Sequence, residues 1–250
     1  MRHLLFIALF ALTACVSQNQ MTRSAARVQL GVAQYREGDY GAAVATLREG
    51  AHLDPGSWRA WNALAIVYIA QGETELAEDA FDRALRVGGN EAEILNNRGT
   101  LYVRTGRMDE AIGAFELALR DLDYRNPAMI HSNMSYALLQ AGRVDEALQS
   151  AREATRRAPT LCDGWYNLGL VQEARRDALS ALDAYSQVRA NCPKEDTAAR
   201  LRIGCIQVEV GMDTGATLLQ DIVRTAPNSA EGDEARACLS AHGLHADRGF

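Results

Sequence analysis

The chain has 250 residues, of which 48% are hydrophobic and 23% charged, and a formal net charge of −6 at pH 7. That is the balance of an ordinary folded protein, long enough for one large domain or an elongated array. A nucleic-acid binder would carry a basic surplus or stripe, and none is present; Lys194 is the single lysine, so nearly all positive charge is arginine.

The N-terminus reads as an address. Arg2 and His3 precede an uncharged run from Leu4 to Ala11, followed by Leu12-Thr13-Ala14-Cys15. A charged tip before a short apolar run is a secretory signal, and the run is shorter than the roughly 20 apolar residues a bilayer span needs. Its end resembles the bacterial lipobox, with Leu three places before the cysteine and small residues at the two between. The resemblance implies cleavage after residue 14 and diacylglycerol on the Cys15 thiol. Each buried acyl CH₂ contributes about 0.8 kcal/mol, so several chains on one residue hold firmly to a leaflet. Val16 and Ser17 follow; no Asp stands where inner-membrane retention would place one, which implies the outer membrane. Residues 15–23 are expected to be the lipidated cysteine and a short polar tether. Loss of Arg2 with residues 1–14 takes the formal charge from −6 to −7.

The remainder is periodic. Gly38, Gly72, Gly106, Gly142, Arg176 and Gly211 are spaced by 34, 34, 36, 34 and 35 residues. Five residues after each lies an alanine: Ala43, Ala77, Ala111, Ala147, Ala181 and Ala216. Seven before each lies a small residue: Gly31, Ala65, Gly99, Ser135, Gly169 and Gly204. Units close near Pro55, Gly89, Asp123, Pro159, Pro193 and Pro227. Trp61, Leu64, Tyr68 and Phe81 in the second unit, with Trp165, Leu168 and Tyr185 in the fifth, complete a pattern that resembles the tetratricopeptide repeat. The resemblance implies an all-α chain, a right-handed superhelix of about six repeats plus a C-terminal capping helix. The expected boundaries are about 24–57, 58–91, 92–127, 128–161, 162–196 and 197–228, a cap at 229–242 and a tail at 243–250. In each unit the small residue of helix A should face the alanine of helix B so that the backbones approach closely. The glycine ends helix A with positive φ, and acids such as Asp39, Glu73 and Asp109 suit the N-terminus of helix B. A single unit cannot bury its apolar face alone, so Ala235, Cys238 and Leu239 are expected to cover the last repeat.

Four cysteines follow Cys15: Cys162, Cys192, Cys205 and Cys238. In an exported chain pairing is expected, and four cysteines allow three pairings. The repeat register puts Cys162 and Cys192 at adjoining ends of one helix pair, and Cys205 beside the cap carrying Cys238. The expected bridges are therefore 162–192 and 205–238.

Little points to chemistry. Cys238, His242, His245 and Asp247 have ligand-capable types, but they fall in a tail and Cys238 is expected in a disulfide, so no metal is expected. His131 occupies the Trp61 position and reads as a packing histidine. There is no glycine-rich phosphate loop with lysine, and no nucleophile whose repeat position brings a histidine near. No catalytic residue, cofactor or small-molecule substrate is expected; an enzyme with the repeats as decoration would need a further domain, for which no residues remain.

In the tetratricopeptide repeat, helix A residues line the concave side. Here these are Val32 and Tyr35; Asn62, Ile66 and Ile69; Asn96, Asn97, Thr100 and Val103; Asn133, Tyr136 and Leu139; and Asn167, Leu170 and Glu173. The expected groove is apolar with a ladder of carboxamides able to grip a peptide backbone. The lysine-rich clamp for a C-terminal carboxylate has no counterpart, with only Arg104 nearby. Lipobox, tether, six repeats and cap together resemble the type IV pilus pilotin lipoproteins. That resemblance implies an outer-membrane anchor facing the periplasm and a secretin subunit as partner, assembled into multimers with this chain's help. A lipoprotein adaptor for cell-wall enzymes or β-barrel assembly shares the same build and remains open.

Overall fold

The computed structural model describes residues 2–192 and 196–244, with side chains from Gln18 onward and none for Asp196. Among the described residues the chain is all helical. The elements are α1 (Arg2–Arg36), α2 (Tyr40–Leu53), α3 (Trp58–Gln71), α4 (Thr74–Gly88), α5 (Ala92–Arg104), α6 (Met108–Ala118) and α7 (Pro127–Gln140). They continue as α8 (Val144–Arg157), α9 (Cys162–Ala174), α10 (Ala178–Asn191), α11 (Asp196–Glu209), α12 (Asp213–Thr225) and α13 (Ala230–Ala241). Each odd helix up to α11 pairs with the next through a tight turn, and α13 packs on both α11 and α12.

The turn within each pair sits where the spacing places it. Gly38, Gly72, Gly106, Gly142 and Gly211 all have φ between 75° and 82°. In the fifth unit Arg176 takes the same left-handed conformation at φ 59°, the only described non-glycine residue with positive φ. The backbone there is imposed by the helix pairing, and the arginine bears the strain that glycine would avoid. Two of the helix B starts are capped by an aspartate side chain. Asp39 and Asp177 accept from the amides of Ala42 and Ser180, at 3.0 and 3.1 Å. Arg107 and Arg143 instead stand at the cap position and pair with Glu110 and Glu146 in the first turn.

The packing differs in one respect from the sequence expectation. Ala43, Ala77, Ala111, Ala147 and Ala181 are completely buried, and a Cβ at Gly31 would meet the Ala43 carbonyl oxygen at 3.4 Å, but the atoms nearest the helix A glycines belong to other side chains. Gly31, Gly99, Gly169 and Gly204 lie beneath Leu47, Phe115, Tyr185 and Leu219, and a Cβ added at any of them would come within 2.5–2.7 Å of that side chain. The small residue makes room for a large helix B side chain, four residues beyond the alanine in the first, third and fifth units. The fourth unit departs from this arrangement, with the small residues Ser135 and Ala151 at the two positions, both fully buried. The sixth is shifted by one. Gly215, not Ala216, is the buried contact, with its Cβ position 2.7 Å from the Gly204 carbonyl oxygen, while Ala216 is only partly buried. Leu219 is therefore eight residues past the left-handed turn residue Gly211 where Leu47, Phe115 and Tyr185 are nine past Gly38, Gly106 and Arg176. The alanine-spacing rule failed there because a glycine one place earlier allows a still closer approach.

Two further features concern the chain's course. The segment 15–23, expected as a tether, is helical in backbone and runs within α1. Residues 16–22 contain no proline or glycine, so nothing in their backbone chemistry ends the helix. The array also divides by contacts into two compact units, Met1–Tyr124 and Arg125–Phe250. The division follows the longest turn in the array, between Ala118 and Pro127, which is where the repeat spacing widens to 36.

In the first unit one core joins Ala43 and Leu47 to Leu64, Val67, Tyr68, Phe81, Ile94 and Leu101. Trp61 closes a turn by donating its indole N–H to the Pro55 carbonyl at 3.1 Å, and Trp165 does the same to Pro159 at 2.7 Å in the second unit. The second unit carries both disulfides. Cys162–Cys192 ties the free ends of α9 and α10, with Cα atoms 6.1 Å apart. Cys205–Cys238 ties α11 to α13, with Cα atoms 5.6 Å apart. Ala235 and Leu239 of α13 are fully buried against Leu219 and Ile222 of α12.

Candidate protein-binding face

The helix A residues expected to face a partner separate into two kinds. The apolar ones are half-buried and leave part of their surface open: Val32 and Tyr35 on α1, Ile66 and Ile69 on α3, and Val103 on α5, with Thr100 beside it. Tyr35 also packs its ring 5.8 Å from that of Tyr40. In the second unit Leu139 and Leu170 are half-buried and Tyr136 is exposed. These side chains can bury further area against a ligand at about 25 cal/mol per Å².

The carboxamides behave otherwise. Asn62 and Asn96 are buried, with 2% and 3% of their surface exposed. Asn62 donates to Glu93 at 3.1 Å and accepts from Asn97 at 3.1 Å, and Asn96 donates to Asn97 at 3.4 Å. Thr100 closes back on the Asn96 carbonyl at 3.1 Å. In the second unit Asn167 donates to both the carbonyl and the hydroxyl oxygen of Ser132 at 3.0 Å, and Asn133 is likewise engaged. The ladder read from sequence as a grip for a peptide backbone thus joins neighbouring repeats. A buried amide without a partner is costly, so the nearest repeat claims it first.

One feature of the face was missed. Glu173, three residues before Arg176, accepts from the Tyr185 hydroxyl and from Arg202, whose Nε lies 2.9 Å away. Arg202 reaches on to Glu234 of α13 at 3.3 Å. Burial, then the bond to Glu173, pushes the Tyr185 hydroxyl well above its ordinary range, and Arg202 is held in its charged form by Glu173. At the fifth and sixth repeats the face is therefore an ion-paired network. The signal was present in the sequence: a tyrosine replaces Phe81 and Phe115, and its hydroxyl needs an acceptor.

Two clefts in the second unit lie at helix ends instead. One is lined by Arg125, Pro127, Met129, Arg157, Ala158 and Leu161; the other by Glu173, Arg176, Ala178, Ile206, Glu209 and Val210. Among the described residues no helix is long and apolar enough to cross a membrane, and no cluster of His, Cys, Asp or Glu could hold a metal ion. The side chain of Cys15, together with Pro193, His245 and Asp247, lies outside the described residues.

Residues 28–90, 62–126 and 132–196 each match the tetratricopeptide repeat family. The chain is a tetratricopeptide repeat protein. Among its relatives is the type IV pilus assembly protein PilF of Pseudomonas aeruginosa, 26% identical over 94% of this chain and 97% of the relative. The solved Pseudomonas aeruginosa PilF superposes with a TM-score of 0.76 at 23% identity, covering 88% of this chain and 99% of the other. PilW, described as a widely conserved type IV pilus biogenesis factor, superposes with a TM-score of 0.77 at 22% identity, over 84% and 96%. This tetratricopeptide protein is thus related, at modest identity, to type IV pilus assembly proteins, and shares their helical fold.

Proposed function

We propose that this protein is an outer-membrane lipoprotein, anchored through Cys15 and facing the periplasm, that binds a secretin subunit and promotes its localisation and assembly into multimers for type IV pili. The observation carrying this reading is the end-to-end likeness to PilF, over 94% of one chain and 97% of the other, joined to Leu12-Thr13-Ala14-Cys15 at the expected place. A shared repeat alone would align in part; a match over both whole chains argues for a shared role. The partner segment sits on the apolar helix A face of the first unit, around Tyr35, Ile66, Ile69 and Val103. No chemistry is performed on the partner.

The test is a deletion strain complemented with variants. Wild type restores secretin multimers and co-purifies with the secretin from solubilised outer membranes. Ile66→Glu, a change to a partly exposed side chain on the same face, reduces both, with helical circular dichroism verifying that the variant folds. Cys15→Ala releases the protein from the membrane fraction. Undiminished multimers in the deletion strain would reject the secretin role and leave the adaptor reading. Unaltered fractionation of the Cys15 variant would reject the anchor.

A further inference from the structure

The two ends of the array are finished differently. At the C-terminus α13 covers the last repeat and turns Asp233, Glu234 and Ser240 to water. At the N-terminal end of the array the corresponding face of α1 is open to solvent among the described residues. Positions twelve, eight and five residues before the turn glycine are those a repeat offers to its predecessor. In the second repeat they are Ala60, Leu64 and Val67, buried to 0%, 3% and 1% exposure where α3 packs on α1 and α2. In the third, Ile94 and Leu101 are buried to 0% and 2% where α5 packs on α3 and α4. In the first repeat the same positions are Ala26, Leu30 and Ala33, and all three are exposed, Leu30 at 44%. Among the described residues nothing packs on this repeat-stacking face.

We infer that this face of α1 docks against the same face of a second copy of the chain, with the two α1 helices antiparallel about Leu30. The charges choose the occupant and its direction. Arg23 and Glu37 each lie seven residues from Leu30, two helical turns away along the same stripe. Both are exposed, and among the described residues neither forms an ion pair. An antiparallel pair centred on Leu30 sets Arg23 against Glu37 of the second copy twice over. A parallel pair would set arginine against arginine and glutamate against glutamate. Ala26 and Ala33 flank Leu30 with short side chains, which lets two such helices approach closely. The patch is small, so the dimer is weak, and exposed ion pairs set direction more than strength. The two Gln18 ends point apart by about 36 Å; anchors on both chains reach one leaflet with α1 lying along it.

The experiment is sedimentation of the full chain in detergent over a micromolar concentration series. The wild type shows a monomer–dimer equilibrium. Leu30→Glu raises the dissociation constant at least about tenfold. Arg23→Glu and Glu37→Arg each weaken the dimer, and the doubly reversed chain recovers it, which only self-pairing in this orientation explains. Helical content and melting temperature verify that each variant folds. Leu30→Cys, placed on the twofold axis, gives a disulfide-linked dimer on mild oxidation. A chain that stays monomeric throughout overturns the proposal, as does a dimer indifferent to Leu30→Glu. So does a double reversal weaker than either single change, the outcome expected if α1 serves a different protein.

Discussion

Gly169→Ala tests the packing rule most sharply. In an isolated helix the change would stabilise by about 1 kcal/mol, because alanine is the better helix former. Here the new Cβ would lie 2.5 Å from two ring carbons of Tyr185 and 2.8 Å from a third, more than 1 Å inside ordinary contact. The ring cannot give way freely. It is completely buried, and its hydroxyl is fixed to Glu173, which is itself paired with Arg202. Overpacking of this kind costs about 2–3 kcal/mol, so the net loss is about 1–2 kcal/mol. Urea unfolding followed by helical circular dichroism should show a lower midpoint with unchanged slope. Gly169→Ala combined with Tyr185→Leu should lose less than the sum of the two single changes, since the second removes the clash created by the first. A Gly169→Ala protein as stable as the parent would mean that α9 and α10 are not held at the separation described.

Arg176→Gly should stabilise by about 0.5–1 kcal/mol, read as a higher melting temperature, because relief of left-handed strain exceeds the extra entropy of an unfolded glycine. His131 is half-buried, and burial lowers its pKa below the ordinary 6.5, with Glu153 opposing and Arg157 and Arg156 of α8 assisting. The unfolded chain therefore binds the proton more readily, so stability is full above pH 6.5 and falls as the pH drops toward the lowered value. His131→Leu should flatten the pH dependence of urea midpoints in that window. Each disulfide closes a loop of 30 or 33 residues, worth about 3.5 kcal/mol in the loop-entropy model. Reduction should accelerate hydrogen exchange in residues 125–244 while leaving 18–124 unchanged, because the described residues of the first unit carry no cystine.

The regular features were legible because they rest on local backbone chemistry. A turn glycine every 34 to 36 residues marks a helix end, and even Arg176 sits in the conformation its place in the series demands. The cystine partners followed from that register, since antiparallel helices bring Cys162 and Cys192 to one end. What the spacing could not convey was which side chain fills the gap. Gly31 and Ala43 are both small, and only the three-dimensional packing reveals that Leu47 lies over the first. The slip at Gly215 is a rotation of one residue that leaves the turn glycine in place, so the period conceals it. Residues 16–22 are mostly polar and contain no helix breaker, so α1 runs through them; composition conveys exposure and not backbone course.

The commitment of the carboxamides changes what the face can recognise. An extended segment lying across α1, α3 and α5 would present backbone N–H and C=O groups that must find partners as they lose water. Asn62, Asn96 and Asn97 already bond one another and Glu93, and diverting them would unstitch the second repeat from the third. The surface still open is chiefly aliphatic and aromatic, from Val32, Tyr35, Ile66, Ile69 and Val103. A segment that satisfies its own backbone sacrifices least there. An amphipathic helix does so and brings apolar side chains at the three- and four-residue spacing that can fill the spaces between successive A helices. On the proposed reading of this face as a partner site, the same amides that fix the stacking of the repeats favour a helical segment.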